Sequence, residues 1–250
     1  MYLGRKEKIM SNALLEYLTK RMGHANVYDT ANNIPGPLIT ISREVGCNGV
    51  KLAHKIAAKL NQRHLGPEWK VLSKEVFFES AKELDMEPDQ VKRVFKYADS
   101  YAISDILNAF GNRKFKSERK VIRTVNEVIR TFAEQGFCII VGRAAHIIAS
   151  DIKNALHLRM VAPCEYRVKT IMDNNHLNRE EALLFIEKVE KERRAFRKSI
   201  RKEKETEEYQ IFDLWINRAS FQDEAAIELI ELAAEKKNIF QDYGKHIDFY

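Results

Sequence analysis

The chain has little of what loosens, staples or embeds a protein. Ten glycines and five prolines in 250 residues fall below ordinary usage. That excludes collagen-like and low-complexity chains and points to long regular elements joined by short loops. Three cysteines, Cys47, Cys138 and Cys164, stand far apart. They form no Cys-x-x-Cys pair and no metal-ligand spacing, so neither a disulfide framework nor a zinc site is expected, and reduced thiols in a cytoplasm are. No apolar run approaches the roughly 20 residues needed to span a bilayer; the purest, Phe137 to Val141, is far shorter. After Met1 the chain reads YLGRKEKIMSNALLEYLTKRM, where charges interrupt any signal-peptide core. A membrane partner is not expected.

What is present suffices for a large buried core: 45% of residues are hydrophobic and 31% charged, enough for one large domain or a modest pair. The formal net charge is +6, and it is local. Residues 191–204, KERRAFRKSIRKEK, carry eight basic and two acidic side chains, an excess equal to that of the whole chain.

Residues 1–36 read as an extension: Leu14, Leu15, Leu18 and Met22 share one face of an amphipathic helix, and DTANNIPGP (29–37) is linker chemistry. That helix is the candidate surface for self-association. From Leu38, β-type runs alternate with helical ones. Strands are expected at Leu38–Ser42, Trp69–Leu72, Phe137–Val141, Ala155–Val161 and Ile211–Ile216. Between them, helical spacing marks Leu52 to Leu60, several pieces within 74–110, and Ser117–Gln135 with Gly136 in the stop position. Asn178-Arg-Glu-Glu181 has capping-box form and opens a long helix towards Lys202. A last helix, Asp223–Lys237, follows, with Ser220 as a candidate cap. Strands alternating with helices imply an α/β fold with a mainly parallel five-stranded sheet, whose ligands bind beyond the carboxyl ends of the strands.

Two features lie there. The first strand runs into Ser42-Arg43-Glu44-Val45-Gly46-Cys47-Asn48-Gly49-Val50-Lys51. A glycine-containing turn before a helix aims several N–H groups into one concavity, where the helix dipole favours phosphate. Gly46 and Gly49 are free to take φ > 0, and Asn48 tolerates it. A plain strand-to-helix turn is the competing interpretation, because this is not G-x-x-x-x-G-K-[ST]. The second feature is Gly142-Arg143, directly after the apolar strand. A guanidinium at a strand's carboxyl end can fork onto a phosphate or pair a neighbouring carboxylate. His146, beside Ile147 and Ile148, is assigned no role.

The helix opened by Asn178 carries an apolar stripe through Ala182, Phe185, Ile186, Val189, Phe196 and Ile200. Arg193, Arg197 and Arg201 follow at steps of four, close to one face. Such a row can neutralise charge on a transferring phosphoryl group; the alternative is a solvated helix with ion pairs such as Glu190 to Arg193.

The strings ITISREVGCNGVKLAHKIAAKL, FCIIVGRAAHII and EKERRAF resemble the cytidylate-kinase-like family of P-loop proteins, over roughly Leu38 to Ala234. The resemblance implies a P-loop NTPase-type three-layer sandwich spanning 37–250, with an inserted helical region at 73–116 closing over a nucleoside monophosphate and a lid at 178–208. It implies a donor-phosphate turn made of Arg43, Gly46, Cys47, Asn48, Gly49 and Val50, with Gly49 at the Walker lysine position. Lys51 would stand at the position of the magnesium-binding hydroxyl and supply charge from there. Arg143 would hold the acceptor phosphate, and Arg193 and Arg197 would be lid arginines. ATP and Mg2+ are then the expected cofactors, with no magnesium ligands identifiable; Ser42 and Glu44 are candidate indirect metal partners, better read as structural. Val141 replaces the family's Asp before Gly-Arg, and Ser73 an Asp after strand two. Phe77, Phe78, Phe95 and Tyr97 are candidates to stack on a base, or core. Asn217 and Ser220 are placed near an adenine, or cap the last helix.

The expected activity is phosphoryl transfer from ATP to a nucleoside monophosphate, CMP or dCMP first. A nucleotide-binding protein that has lost catalysis is the alternative, motivated by the altered turn. A nucleic-acid-binding module ranks last, since the basic segment comes without a recognised motif.

Overall fold

The first strand explains the layering. In β1 (Leu38–Arg43) every residue is buried, and alternate side chains enter opposite cores. Leu38 joins one apolar cluster, while Ile39 and Ile41 join the other. A strand covered on both faces has to lie inside a parallel sheet. The computed structural model describes residues 35–64, 66–73, 118–201 and 207–240. The expected N-terminal helix, nearly all of the inserted region with Phe77, Phe78, Phe95 and Tyr97, and Lys202 lie outside them.

After β1 come α1 (Gly49–Asn61), β2 (Lys70–Leu72), α2 (Glu118–Gln135), β3 (Cys138–Val141), α3 (Ala145–Ile148), β4 (Ala155–Val161), α4 (Cys164–Asn175) and α5 (Arg179–Ile200). A 3₁₀ turn at Glu208–Ile211, β5 (Leu214–Asn217) and α6 (Asp223–Lys236) complete the described chain. The strands form one sheet in the order β2-β3-β1-β4-β5, parallel at every pairing. One face is covered by Leu52, Ile56 and Leu60 of α1 with Ile227 and Ile230 of α6. On the other lie Ile129 and Phe132 of α2, together with α3 and Phe196 of α5. The fold is therefore an α/β three-layer sandwich.

Several expectations are corrected. The last strand begins at Leu214, because Glu208–Ile211 coils into a 3₁₀ turn. Ser220 is not the cap of α6: Gln222 holds that position, and without a capping side-chain bond. α4 was not anticipated, because only Val168 and Ile171 of its twelve residues are buried, too sparse a stripe to read as helical spacing. The capping box is as expected. The Asn178 side chain accepts from Glu181 N at 2.9 Å, and Glu181 Oε2 accepts from Asn178 N at 2.8 Å.

Register sets the geometry of the site. Ile41 stands beside Val141 of β3 and Leu158 of β4, so Arg43 projects two residues past the end of β3. It faces the turn that begins at Gly142, whose N–H donates to the Ile41 carbonyl at 2.9 Å.

Candidate active site

The site lies where the carboxyl ends of β1 and β3 meet α5. A cavity there is lined by Arg43, Arg143, Arg193 and Arg197, with Ser42, His146, Phe196 and the turn that follows β3. None of its lining residues is acidic, so the described wall carries an excess of positive charge.

Arg43 ends β1 and is 8% exposed. Its stem crosses Gly49, where an added Cβ would lie 3.1 Å from Arg43 Cγ. Its guanidinium rests on Gly142, where any Cβ would collide with Nη1. Gly142 has φ 81°, followed by Arg143 and Ala144, each at φ 54°. Two non-glycine residues in this region cost on the order of 1–2 kcal/mol each, a strain characteristic of functional turns. The result is a tight left-handed loop that brings Arg143 to the cavity instead of continuing the sheet.

Arg193 reaches the same place from α5. Its Nη1 donates to the Arg43 carbonyl at 2.8 Å and stands 3.8 Å from Glu190 Oε1. Glu190, 9% exposed, accepts from Val45 N at 2.6 Å. The apolar stripe of α5 is divided around these groups. Ala182, Ile186 and Val189 pack on Val45, Val168 and Ile171, whereas Phe196 packs on the β3 face. Arg193 and Arg197 are half-buried between the two; Arg194 and Lys198 are exposed. The helix expected as a lid is thus docked on the strand ends, and Arg201 ends it, 3.5 Å from Glu207.

The turn after β1 lies beside the cavity and does not line it. Gly46 takes φ 91° and lies so close to α4 that a Cβ would stand 2.8 Å from Arg167 Cα. Gly49 needs no positive φ; Asn48 takes the left-handed position instead, at φ 50°, and its Oδ1 accepts from Asn174 Nδ2 at 3.1 Å. The first helical bond of α1 runs from Leu52 N to the Asn48 carbonyl. The amides of Asn48, Gly49, Val50 and Lys51 therefore have no intrahelical acceptor, the arrangement that receives phosphate. Val50 is half-buried against the core, and Lys51 is exposed. Cys47 is buried, and its thiol is pushed up to about 11, first by burial and then by Glu44, so it is no thiolate nucleophile.

Glu44 and Ser42 are structural, as expected. Glu44 Oε2 accepts from Ala162 N at 3.0 Å and stands 3.5 Å from Arg167 Nε. Ser42 Oγ accepts from Arg159 Nη1 at 2.7 Å. Magnesium fits these residues poorly. It requires oxygen ligands, yet Val50 and Lys51 offer none where a hydroxyl would be needed. Among the described residues no group of three or more His, Cys, Asp or Glu could hold a metal ion. His146 is buried and stacks on Phe212, ring centroids 4.6 Å apart, which suits packing rather than proton transfer. Asn217 is not a cap of α6; its Oδ1 accepts from Ala219 N at 3.0 Å and tightens the turn after β5. Sequence reasoning missed Glu190 as part of the site and Phe196 as its wall. The acid within an otherwise apolar stripe was the available signal.

Among curated proteins no significant match is found. An uncharacterised protein from Eubacterium ventriosum ATCC 27560 superposes with a TM-score of 0.57 at 22% identity, covering 80% of this chain and 98% of its own; at that identity it shows the fold alone. Shikimate kinase from Bacteroides thetaiotaomicron (TM-score 0.43, 14% identity) and TT1252 from Thermus thermophilus (0.40, 17%) cover the same shares, too distantly to support more. No described helix is long and apolar enough to cross a membrane. The cytidylate kinase-like family model matches residues 38–220, the stretch that holds the sheet, the turn after β1 and the arginine helix, and the chain belongs to that family.

Proposed function

We propose that the protein transfers a phosphoryl group from ATP to a nucleoside monophosphate, with CMP or dCMP the first candidates. Membership of a cytidylate kinase-like family supports a nucleotide kinase-type function. The observation that carries the finer reading is the convergence of Arg43, Arg143, Arg193 and Arg197 on one cavity at the strand ends. Phosphoryl transfer needs positioning and charge neutralisation more than covalent help from the protein. An oxygen of the acceptor phosphate bonds to the γ-phosphorus as the bond to the ADP oxygen breaks, ADP leaving with the electron pair. An acceptor phosphate that is already a dianion has no proton to lose, so no general base is required. Arg143 would hold the acceptor phosphate, Arg193 and Arg197 would face the transferring group, and the Asn48–Lys51 amides would receive the donor phosphates. Mg2+ would enter on the phosphates of ATP rather than through ligands of the protein.

The test is ADP release with CMP, dCMP, UMP and AMP, with and without magnesium. Turnover with one of them, falling on the order of a hundredfold in Arg193→Ala or Arg197→Ala, is expected. Absence of turnover with all four defeats the proposal. One feature favours a second reading, nucleotide binding without catalysis: Gly49 stands where the Walker lysine is expected, and Lys51 is exposed and does not line the cavity. That reading expects ATP binding by calorimetry with no ADP formed.

A further inference from the structure

We propose that Glu190 is the positioning residue that registers the arginine face of α5 on the phosphate turn, so that Arg193 and Arg197 are held over the cleft. This rests on the cleft being an oxyanion site, as proposed above. Burying a carboxylate is costly unless it is hydrogen-bonded, and at 9% exposure Glu190 stands where the stripe of α5 would accept an aliphatic side chain. Its carboxylate accepts from Val45 N at 2.6 Å, across 145 residues of sequence, and stands 3.8 Å from Arg193 Nη1. Arg193, one turn on, donates to the Arg43 carbonyl at 2.8 Å.

The helix thus grips one short piece of backbone twice, an acid on the N–H of residue 45 and a base on the C=O of residue 43. Packing of Val45 among Val168, Ile186 and Val189 fixes how close α5 lies but only weakly how far it is turned or slid. The two polar bonds fix both, because a rotation by one residue, about 100°, breaks them together. Arg197 lies about 6 Å further along the same face, so registering Arg193 registers Arg197.

Two conservative variants separate reach from charge. Glu190→Gln keeps the acceptor oxygen at the same distance and removes the charge; Glu190→Asp keeps the charge and withdraws the oxygen by one methylene. Neither opens a large cavity. With the full chain, inorganic pyrophosphate binding by calorimetry is measured well below the unfolding temperature, together with kcat and KM for ATP. Glu190→Gln is expected within threefold of the wild type in pyrophosphate affinity, and Glu190→Asp about tenfold weaker, with kcat reduced more than KM is raised. Wild-type affinity and kcat in Glu190→Asp would overturn the proposal, as would equal losses in both variants. If the wild type binds pyrophosphate with this variant pattern but turns over no nucleoside monophosphate, the kinase reading falls and the positioning role stands. Failure of the wild type to bind pyrophosphate removes both.

Discussion

Gly142 and Cys47 carry residue-scale consequences. At Gly142 two constraints coincide, a φ of 81° and the Arg43 guanidinium filling the space of a side chain. Gly142→Ala is therefore expected to lose at least about 1 kcal/mol in urea unfolding and to weaken pyrophosphate binding by displacing Arg43. Unchanged stability with unchanged affinity would show that the close approach does not hold in solution. At Cys47, burial keeps the thiol protonated up to about 11. Iodoacetamide at pH 8 is expected to label exposed Cys164 quickly and to leave Cys47 and Cys138 unlabelled until the protein unfolds, as read by peptide mass spectrometry. Rapid labelling of Cys47 in the native protein would contradict its buried placement.

At the scale of elements, α5 is the part on which most depends. It starts at a reciprocal capping box, packs its first half on α4 and Val45, and inserts Phe196 into the core. Its polar middle is left for the cleft. Replacing Asn178 by Ala removes the cap and should cost about 1 kcal/mol. Because the cap lies four turns from Arg193, kcat should change less than twofold. A loss confined to activity, with the urea midpoint unmoved, would contradict this division of labour. The strained loop Gly142-Arg143-Ala144 acts likewise as an element: it ends β3 abruptly and places a guanidinium level with the projecting end of β1.

For the whole molecule, the buried polar pair at the centre of the sheet sets the pH response. His157, 4% exposed, has its Nδ1 2.7 Å from the Thr40 hydroxyl. Its pKa is depressed to about 4, chiefly by burial, with Asp213 opposing and Lys237 and His146 reinforcing. A histidine with a lowered folded pKa favours the native state above its unfolded value of 6.5. As pH falls from 6.5 towards 4 the unfolded chain takes up the proton first, and up to about 3 kcal/mol of stability is lost. Asp151 and Asp223, held low by Arg130 and by Lys55 with Arg218, withdraw their contribution only below about pH 4. Thermal unfolding from pH 8 to 4 should show the midpoint falling first between 6.5 and 4. Glu or Asp titration alone would place that fall lower. His157→Gln should flatten the upper part of the curve, and an unaltered curve would remove His157 as its cause.

Local rules made much of this protein legible. Continuous apolar runs identified buried strands, the Asn178 box identified the start of α5, and Gly-Arg after a strand end marked a guanidinium that lines the cavity, because each depends on neighbours within a few residues. Spacing also put Arg193 and Arg197 on one face. What sequence could not decide was contact across long separations. It did not give the docking of Glu190 on Val45 or the resting of Arg43 on Gly142; nor did it reveal α4, whose helical stripe is too thin to be seen locally. Those features follow from strand register and helix packing, which place groups more than a hundred residues apart within a hydrogen bond of each other. The sequence by itself determined the layers and the chemistry available at the strand ends. Only the tertiary structure decided which charges meet there, because burial and register, not spacing along the chain, set the distances between them.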